Sequence, residues 1–330
     1  MTEEKSRPRT DLYIALFVIA FLGFAAVSVG LSRERWRERT VPAAAQFSEQ
    51  SALERLASSK LFRAGALATL VLSVLLLTVA GVAKLGGRSP VPQAPGNNVT
   101  WSIWAIVKSI VIFVFLYIVW LWITYFLGRG LPAGSPHPAV ALSADSALKV
   151  LICIWIYIML RTEYGADNSS MGIRLRGVGK ALLYSFVGYL SIICVVIAAK
   201  AAWVLLGHHL GIEEKINPIV TLLLTEHSRQ VVLITVFVVV VVAPLTEEFY
   251  FRVLIFCGLR RSFGFWASAC ISALFFALIH PDFYQIVPIF FLGIFLAYIY
   301  ERTQNFASVV FVHALHNGIQ VCLILSVRQV

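Results

Sequence analysis

Residues 231–257 read VVLITVFVVVVVAPLTEEFYFRVLIFC. An apolar run leads into Thr246-Glu247-Glu248-Phe249-Tyr250-Phe251-Arg252, and apolar residues resume from Val253 to Cys257. The two carboxylates and the guanidinium therefore lie inside a membrane-spanning segment, not in a loop beside one. An ionisable side chain at bilayer depth costs at least ~2.5–3.5 kcal/mol on an insertion scale. Three such groups in six residues need a compensating role, and that makes the cluster a candidate functional site.

Composition agrees with a membrane reading. Of 330 residues, 59% are hydrophobic and 13% charged, and mean hydropathy is +0.83. Soluble domains run nearer about 45–50% apolar and about 25% charged. The formal net charge of +10 fits Lys and Arg flanking spans at membrane surfaces. No basic stripe interleaved with aromatics marks a nucleic-acid footprint. Cys153, Cys194, Cys257, Cys270 and Cys322 all fall in apolar segments without a C-x-x-C pair. They read as small buried hydrophobes.

About 20 apolar residues cross a bilayer as a helix. Segments 12–31, 64–83, 102–127, 181–206 and 231–257 meet that length, while 263–279, 286–300 and 306–327 are shorter or carry polar groups. Segment 148–160 is short and reads as a tilted span or a re-entrant piece. The expectation is an all-α, polytopic transmembrane helix bundle of eight or nine helices. Segment 12–31 is too long and lacks the cleavage site of a signal peptide, so it reads as an uncleaved anchor. Residues 33–60 form a charged loop whose end, 51–60, could be a surface helix, and 86–98 and 128–137 are Pro/Gly-rich connectors. The polar, basic stretch 161–180 divides an N-terminal membrane region of unknown role, 1–177, from a C-terminal unit, 178–330. There is no internal repeat, and Lys/Arg counts in alternate loops come to a near tie, which leaves orientation open.

Further polar groups interrupt the later helices. His280 closes an apolar run just before Pro281, and His313 and Asn317 lie one helical turn apart on one face. Glu248 and Arg252 have i, i+4 spacing with the acid first, the better order for an ion pair. Glu247 points about 100° away from Glu248, so the two carboxylates can face different neighbours. Counting about 1.5 Å per residue from the turn near 260–263 puts Glu247 and His280 roughly 22–27 Å along their helices. His313 and Asn317 are about 12–20 Å into the last helix from the same side. The four side chains can therefore meet in one layer. A carboxylate beside an imidazole can deprotonate water, and a second His with an Asn amide could donate to an oxyanion. Glu247, His280 and His313 could instead hold a divalent metal such as zinc that activates water. There is no H-E-x-x-H, no G-x-S-x-G and no membrane Asp pair, which argues against zincin, serine and aspartyl chemistry.

At these residues the chain resembles the CPBP family of intramembrane proteases, which includes the CAAX prenyl proteases and bacteriocin-processing or immunity-related proteins. The resemblance rests on Glu247-Glu248-x-x-x-Arg252, Phe276-x-x-x-His280 and His313-x-x-x-Asn317, in that order, and its motif core covers about 229–327. It implies an intramembrane endopeptidase in which Glu247 and His280 activate water, His313 and Asn317 stabilise the oxyanion, and Glu248 and Arg252 organise the site. Both glutamate-type and metal-dependent mechanisms are argued for the family, so no cofactor is assigned. The implied substrate is a membrane-associated or lipidated peptide or protein, met within the lipid bilayer, and the implied location is a bacterial inner membrane.

Plainer readings stand beside these. His316 lies off the His313/Asn317 face and reads as structural or supporting. His208-His209 with Glu213-Glu214 read as a solvated interhelical loop, and Glu301-Arg302 as an interfacial charged cap. Phe249, Tyr250 and Phe251 read as packing or cavity lining. Two other functions keep the same residues: a non-enzymatic immunity or scaffold protein, and a proton-coupled transporter. A transporter would ordinarily show the internal repeat that is missing here.

Overall fold

The computed structural model describes residues 59–328 apart from 92, 95, 97, 130–137, 213–216 and 281. The expected anchor 12–31, most of the charged loop 33–60 and the pair Glu213-Glu214 lie outside the described residues. Within them the protein is all-helical, with nine helices and no strands. They are α1 Lys60–Leu85, α2 Ile103–Arg129, α3 Pro138–Glu163, α4 Val178–His209, α5 Pro218–Thr225, α6 Arg229–Arg260, α7 Phe265–Leu278, α8 Phe283–Thr303 and α9 Phe306–Val327. Seven of these are long and apolar enough to cross a membrane, with α7 a shorter apolar helix and α5 a two-turn piece absent from the sequence expectation.

Short polar residues start the helices. Ser59, Asn217, Ser228, Asp282 and Asn305 each accept a backbone N–H of the first turn behind them, satisfying donors that the helix itself cannot. Helix α8 stops where Gln304 enters the left-handed region at φ 49°. That tight reversal returns the chain as α9.

Helix α6 is the axis of the bundle. It packs against α2, α3, α7, α8 and α9, and α4 lies behind α8 and α9 with α1 on its outer side. Helices α7 and α8 approach closely because Gly293 faces Ala273, and a Cβ on Gly293 would come within 2.9 Å of the Ala273 Cβ. Small residues at such a crossing let backbones meet where lipid offers no hydrophobic drive for association. The outer helix α1 is pinned through Ser73, whose Oγ donates to Ser191 O at 3.1 Å and accepts from Cys194 N at 2.9 Å.

Three expectations are corrected. Segment 148–160 is neither short nor re-entrant; it is the C-terminal half of the 26-residue helix α3. Its N-terminal half escaped the hydropathy reading because Ser143, Asp145, Ser146 and Lys149 dilute it, yet Asp145 and Lys149 pair at 3.0 Å and offset each other's charge. Glu301-Arg302 is more than a cap. Glu301 pairs with Arg260 Nη2 at 2.8 Å, while Arg302 Nε donates to Val91 O at 2.8 Å and Nη1 to the Gln93 amide oxygen Oε1 at 2.7 Å. The connector after α1 is thereby fastened to the end of α8. The cysteines also differ from the uniform burial expected: Cys257 is buried, Cys153, Cys194 and Cys270 are intermediate, and Cys322 is exposed on the outer face of α9.

Packing runs across residue 177. Trp101, Ala105 and Ile106 beside α2 and Ile152, Ile156, Met159 and Leu160 of α3 join Leu254, Phe256, Leu296 and Tyr300 in one cluster. Trp101 Nε1 donates to Leu254 O at 3.2 Å. The loop before α4 docks under the α8–α9 reversal, where Tyr300 donates to Met171 O at 2.9 Å and Phe306 N to Gly172 O at 2.8 Å. The helices before residue 177 and those after it help form the same core.

Candidate active site

The site is built on an irregular stretch of α6. Five π-helical residues, Val238–Val242, precede the α-helical Ala243–Glu248, and a second π segment, Phe249–Phe256, follows. Pro244 lies at the first junction. It has no N–H, and its ring crowds the preceding turn, a cost of about 3 kcal/mol or more in a regular helix interior. The wider π turn relieves the crowding, with Ala243 N–H bonding five residues back to Val238 O. Such turns recur at functional sites because they re-aim the side chains that follow. Thr246 donates its hydroxyl to Val242 O at 2.9 Å, and Glu247 and Glu248 emerge from this turn.

Glu248 and Arg252 are both fully buried, with Nε 3.0 Å from Oε2. The contact is one of charge, because the atoms are out of line for a hydrogen bond and Arg252 Nη1 has no aligned acceptor among the described residues. Arg252 Nη2 donates to Gly293 O at 3.5 Å, and the guanidinium carbon lies 4.6 Å from the centre of the Phe276 ring. Cation–π contact of this kind strengthens when water is excluded. The other Glu248 oxygen, Oε1, is 2.8 Å from His313 Nδ1. A carboxylate can only accept, so Nδ1 carries a proton. Glu247 Oε2 is 3.9 Å from His313 Nε2. The two carboxylates flank one imidazole, one at each ring nitrogen.

His280 ends α7. Its Nδ1–H donates to Phe276 O at 2.8 Å, a last-turn carbonyl that the ending helix leaves without a donor. In a neutral ring this leaves the Nε2 lone pair available. The imidazole is within electrostatic reach of Glu247 and His313, without a direct hydrogen bond to either. Phe276, 1% exposed, meets both imidazoles edge-on, with ring centres 5.1 Å from His280 and 5.6 Å from His313. Asn317 lies one turn beyond His313, and its Nδ2 donates to Val239 O at 2.9 Å. His316 bonds Tyr189 through Nδ1 at 3.0 Å and Gln320 through Nε2 at 2.6 Å, so it ties α9 to α4.

Helix α3 brings residues that the sequence reading passed over. Asp145, Lys149 and Cys153 follow at i, i+4, i+8 along one face, and Cys153 Sγ lies 3.5 Å from Thr246 O, next to Glu247. Lys149 is within electrostatic reach of both Glu247 and His280. The signal was present in the acid-first i, i+4 spacing, but Asp145 lay before the apolar segment 148–160 that the sequence reading picked out. Among the described residues no three His, Cys, Asp or Glu side chains are grouped to hold a metal ion. The Glu247, His280 and His313 set does not form a metal cage in this geometry.

A family comparison matches the segment that carries most of this site. Residues 229–319 match the family described as type II CAAX prenyl endopeptidase Rce1-like. The membrane-embedded CAAX protease MroQ of Staphylococcus aureus is 35% identical over 92 residues, which cover 26% of this chain and 37% of that protein. The chain therefore spans little more than a third of that relative. YdiL of Bacillus subtilis, named as a candidate membrane peptidase, is 23% identical over 193 residues, 57% of this chain and 75% of that protein. No solved structure gives a significant match.

Proposed function

We propose that this chain, a member of the CAAX-protease (CPBP) family through residues 229–319, is an intramembrane endopeptidase that hydrolyses a peptide bond in a membrane-associated or lipidated substrate. One observation carries the reading. A single imidazole, His313, is held by a buried Glu248–Arg252 pair at one nitrogen and presents the other toward Glu247.

The chemistry follows from the side chains alone. Glu247, the more exposed of the two carboxylates at 16%, takes a proton from water together with His280 Nε2, and the water oxygen bonds to the scissile carbonyl carbon. The resulting oxyanion accepts hydrogen bonds from His313 Nε2–H, when that ring is protonated, and from the Asn317 amide. Asn317 has two amide hydrogens, one engaged by Val239 O and one left for this purpose. The proton then passes to the leaving nitrogen as the C–N bond breaks. Glu248 and Arg252 orient His313 and do not touch substrate. Phe249, Phe251 and Phe276 are buried around the layer, and the site lies within membrane-spanning helices, which supports a substrate whose apolar tail rests in the bilayer. Both relatives come from bacteria, which supports a bacterial inner membrane.

The test is hydrolysis of fluorogenic peptide libraries by the purified protein in bilayers, with each peptide presented free and with a lipid anchor, with and without a chelator. Wild type should cleave and Glu247→Gln should not, and the anchored peptide should be cleaved faster. Full cleavage by Glu247→Gln removes Glu247 as base, equal rates for both peptides remove delivery through the membrane, and loss of activity with chelator replaces the metal-free mechanism. No hydrolysis of any peptide favours the immunity or scaffold reading.

A further inference from the structure

The Asn317 amide is bound to a carbonyl that its own helix would normally occupy. In the π register of α6, Ala243 N–H bonds to Val238 O. The next donor in that register, the partner due to Val239 O, is residue 244. Residue 244 is proline and has no N–H. Val239 O instead receives Asn317 Nδ2 at 2.9 Å from α9. The carbonyl is in a membrane-spanning segment, where water cannot take the place of a missing donor and an unsatisfied backbone group is costly. Asn317 is thus drawn to one fixed point on α6, about two turns before the residues that carry Glu247 and Glu248.

We propose that Pro244 is a positioning residue for Asn317: by withholding a backbone N–H from Val239 O, it creates the acceptor that fixes the Asn317 amide, and with it the register of α9, against the acidic turn. This rests on the proposed role of Asn317 for its catalytic consequence, but not for its structural content. The proline is unfavourable for the helix that contains it, and the cost is retained because the vacated carbonyl aligns a second helix. Local strain at a functional site, offset by contacts elsewhere, takes this form. Thr246 contributes to the same arrangement, since its hydroxyl bonds Val242 O and Ala243 O at 2.9 and 3.2 Å and covers carbonyls of the same loosened turn.

The proposal makes stability and activity move in opposite directions. Pro244→Ala restores a donor to α6, which closes on Val239 O and competes with Asn317. The melting temperature of the detergent-solubilised protein should stay level or rise by about 2–4 °C, while kcat for a cleaved reporter falls about 10-fold or more as the amide loses its fixed position. A purely structural proline would show both falling together. A cycle of thermal denaturation with Pro244→Ala, Asn317→Ala and the double variant tests the contact without any substrate. Asn317→Ala should lower the melting temperature of wild type by clearly more than it lowers that of Pro244→Ala. An equal drop in both backgrounds overturns the proposal, as does a Pro244→Ala protein that is both less stable and fully active. Should Pro244→Ala fail to fold, Pro244→Gly and Asn317→Asp, which keeps the size of the side chain but not the donor, supply the same cycle. If no peptide is cleaved by wild type, the enzymatic reading fails while the thermal cycle still decides this one.

Discussion

Two ion pairs in this molecule share spacing, order and setting. Asp145–Lys149 on α3 and Glu248–Arg252 on α6 are both i, i+4, both acid-first, both 3.0 Å apart and both within membrane-spanning helices. Their surroundings differ. The α3 pair is 32% and 40% exposed at its acid and base, and Asp145 and Lys149 serve mainly each other. The α6 pair is wholly buried, stacked on Phe276, and tied to His313. Identical helical geometry therefore gives a side-chain pair at the rim of the site and a structural keystone at its centre. The difference comes from what the rest of the bundle places around each pair.

The largest effect should come from the buried pair. Glu248→Ala or Arg252→Ala leaves an uncompensated charge in the core and should cost about 3–5 kcal/mol, measured by chemical denaturation in detergent. Replacing both by apolar residues of similar volume should cost less than either single change. A single variant as stable as wild type would erase the contrast between the pairs.

Next is Glu247→Gln, beside the same His313 but only 3.9 Å from it and partly open. It should abolish hydrolysis, a loss of at least about 10²-fold for removal of a general base, with a melting temperature close to wild type. A large stability loss would put Glu247 in the structural class with Glu248.

Smaller again is the half-buried pair on α3. Lys149→Met or Asp145→Asn should change stability by less than about 1 kcal/mol, read by the same denaturation. A loss matching that of Arg252→Ala would show that depth in the membrane outweighs local burial.

The smallest effect concerns a carboxylate outside the membrane helices. In the loop before α4, Asp167 accepts Ser170 N at 2.7 Å and the Ser169 hydroxyl at 3.1 Å. The backbone N–H of Ser170 and then its hydroxyl hold the Asp167 carboxyl below its ordinary value. A depressed carboxylate contributes fully above its unfolded value of about 3.9 and loses that contribution as pH falls through the lower folded value. Hydrogen exchange at Ser170 should therefore speed up relative to its intrinsic rate only below about pH 4. An onset near neutrality would mean that another group controls the loop.

Much of the fold was legible because an apolar run of bilayer length leaves the chain one choice, a helix with its backbone satisfied internally. Residues 306–327 became α9 without adjustment, and the EE-x-x-x-R, His and His-x-x-x-Asn positions pointed to the helices that now hold the site. Four things were not legible. Helix α3 was halved because a polar pair can cancel its own charge across one turn, while a hydropathy count adds both penalties. The shared use of His313 by two carboxylates depends on where α9 stands beside α6, which spacing within either helix does not specify. The π turns leave only one local trace, Pro244 inside an apolar run, and a proline there is equally compatible with a kink, a break or a widened turn. Arg302 was read as a cap because the loop it holds is more than two hundred residues earlier in the chain.

Phe276 has a further consequence. Its ring lies against Arg252, His280, His313 and Phe251, side chains from helices α6, α7 and α9. In machining terms it is a datum: several parts are located by reference to one flat face, so their mutual tolerances are set once. A shift of that face moves the guanidinium and both imidazoles together and leaves their spacing to one another nearly intact, whereas a change in its shape alters every spacing together. A substitution at this position keeps those spacings only if it reproduces a flat aromatic surface, even though the ring has no group able to enter the reaction.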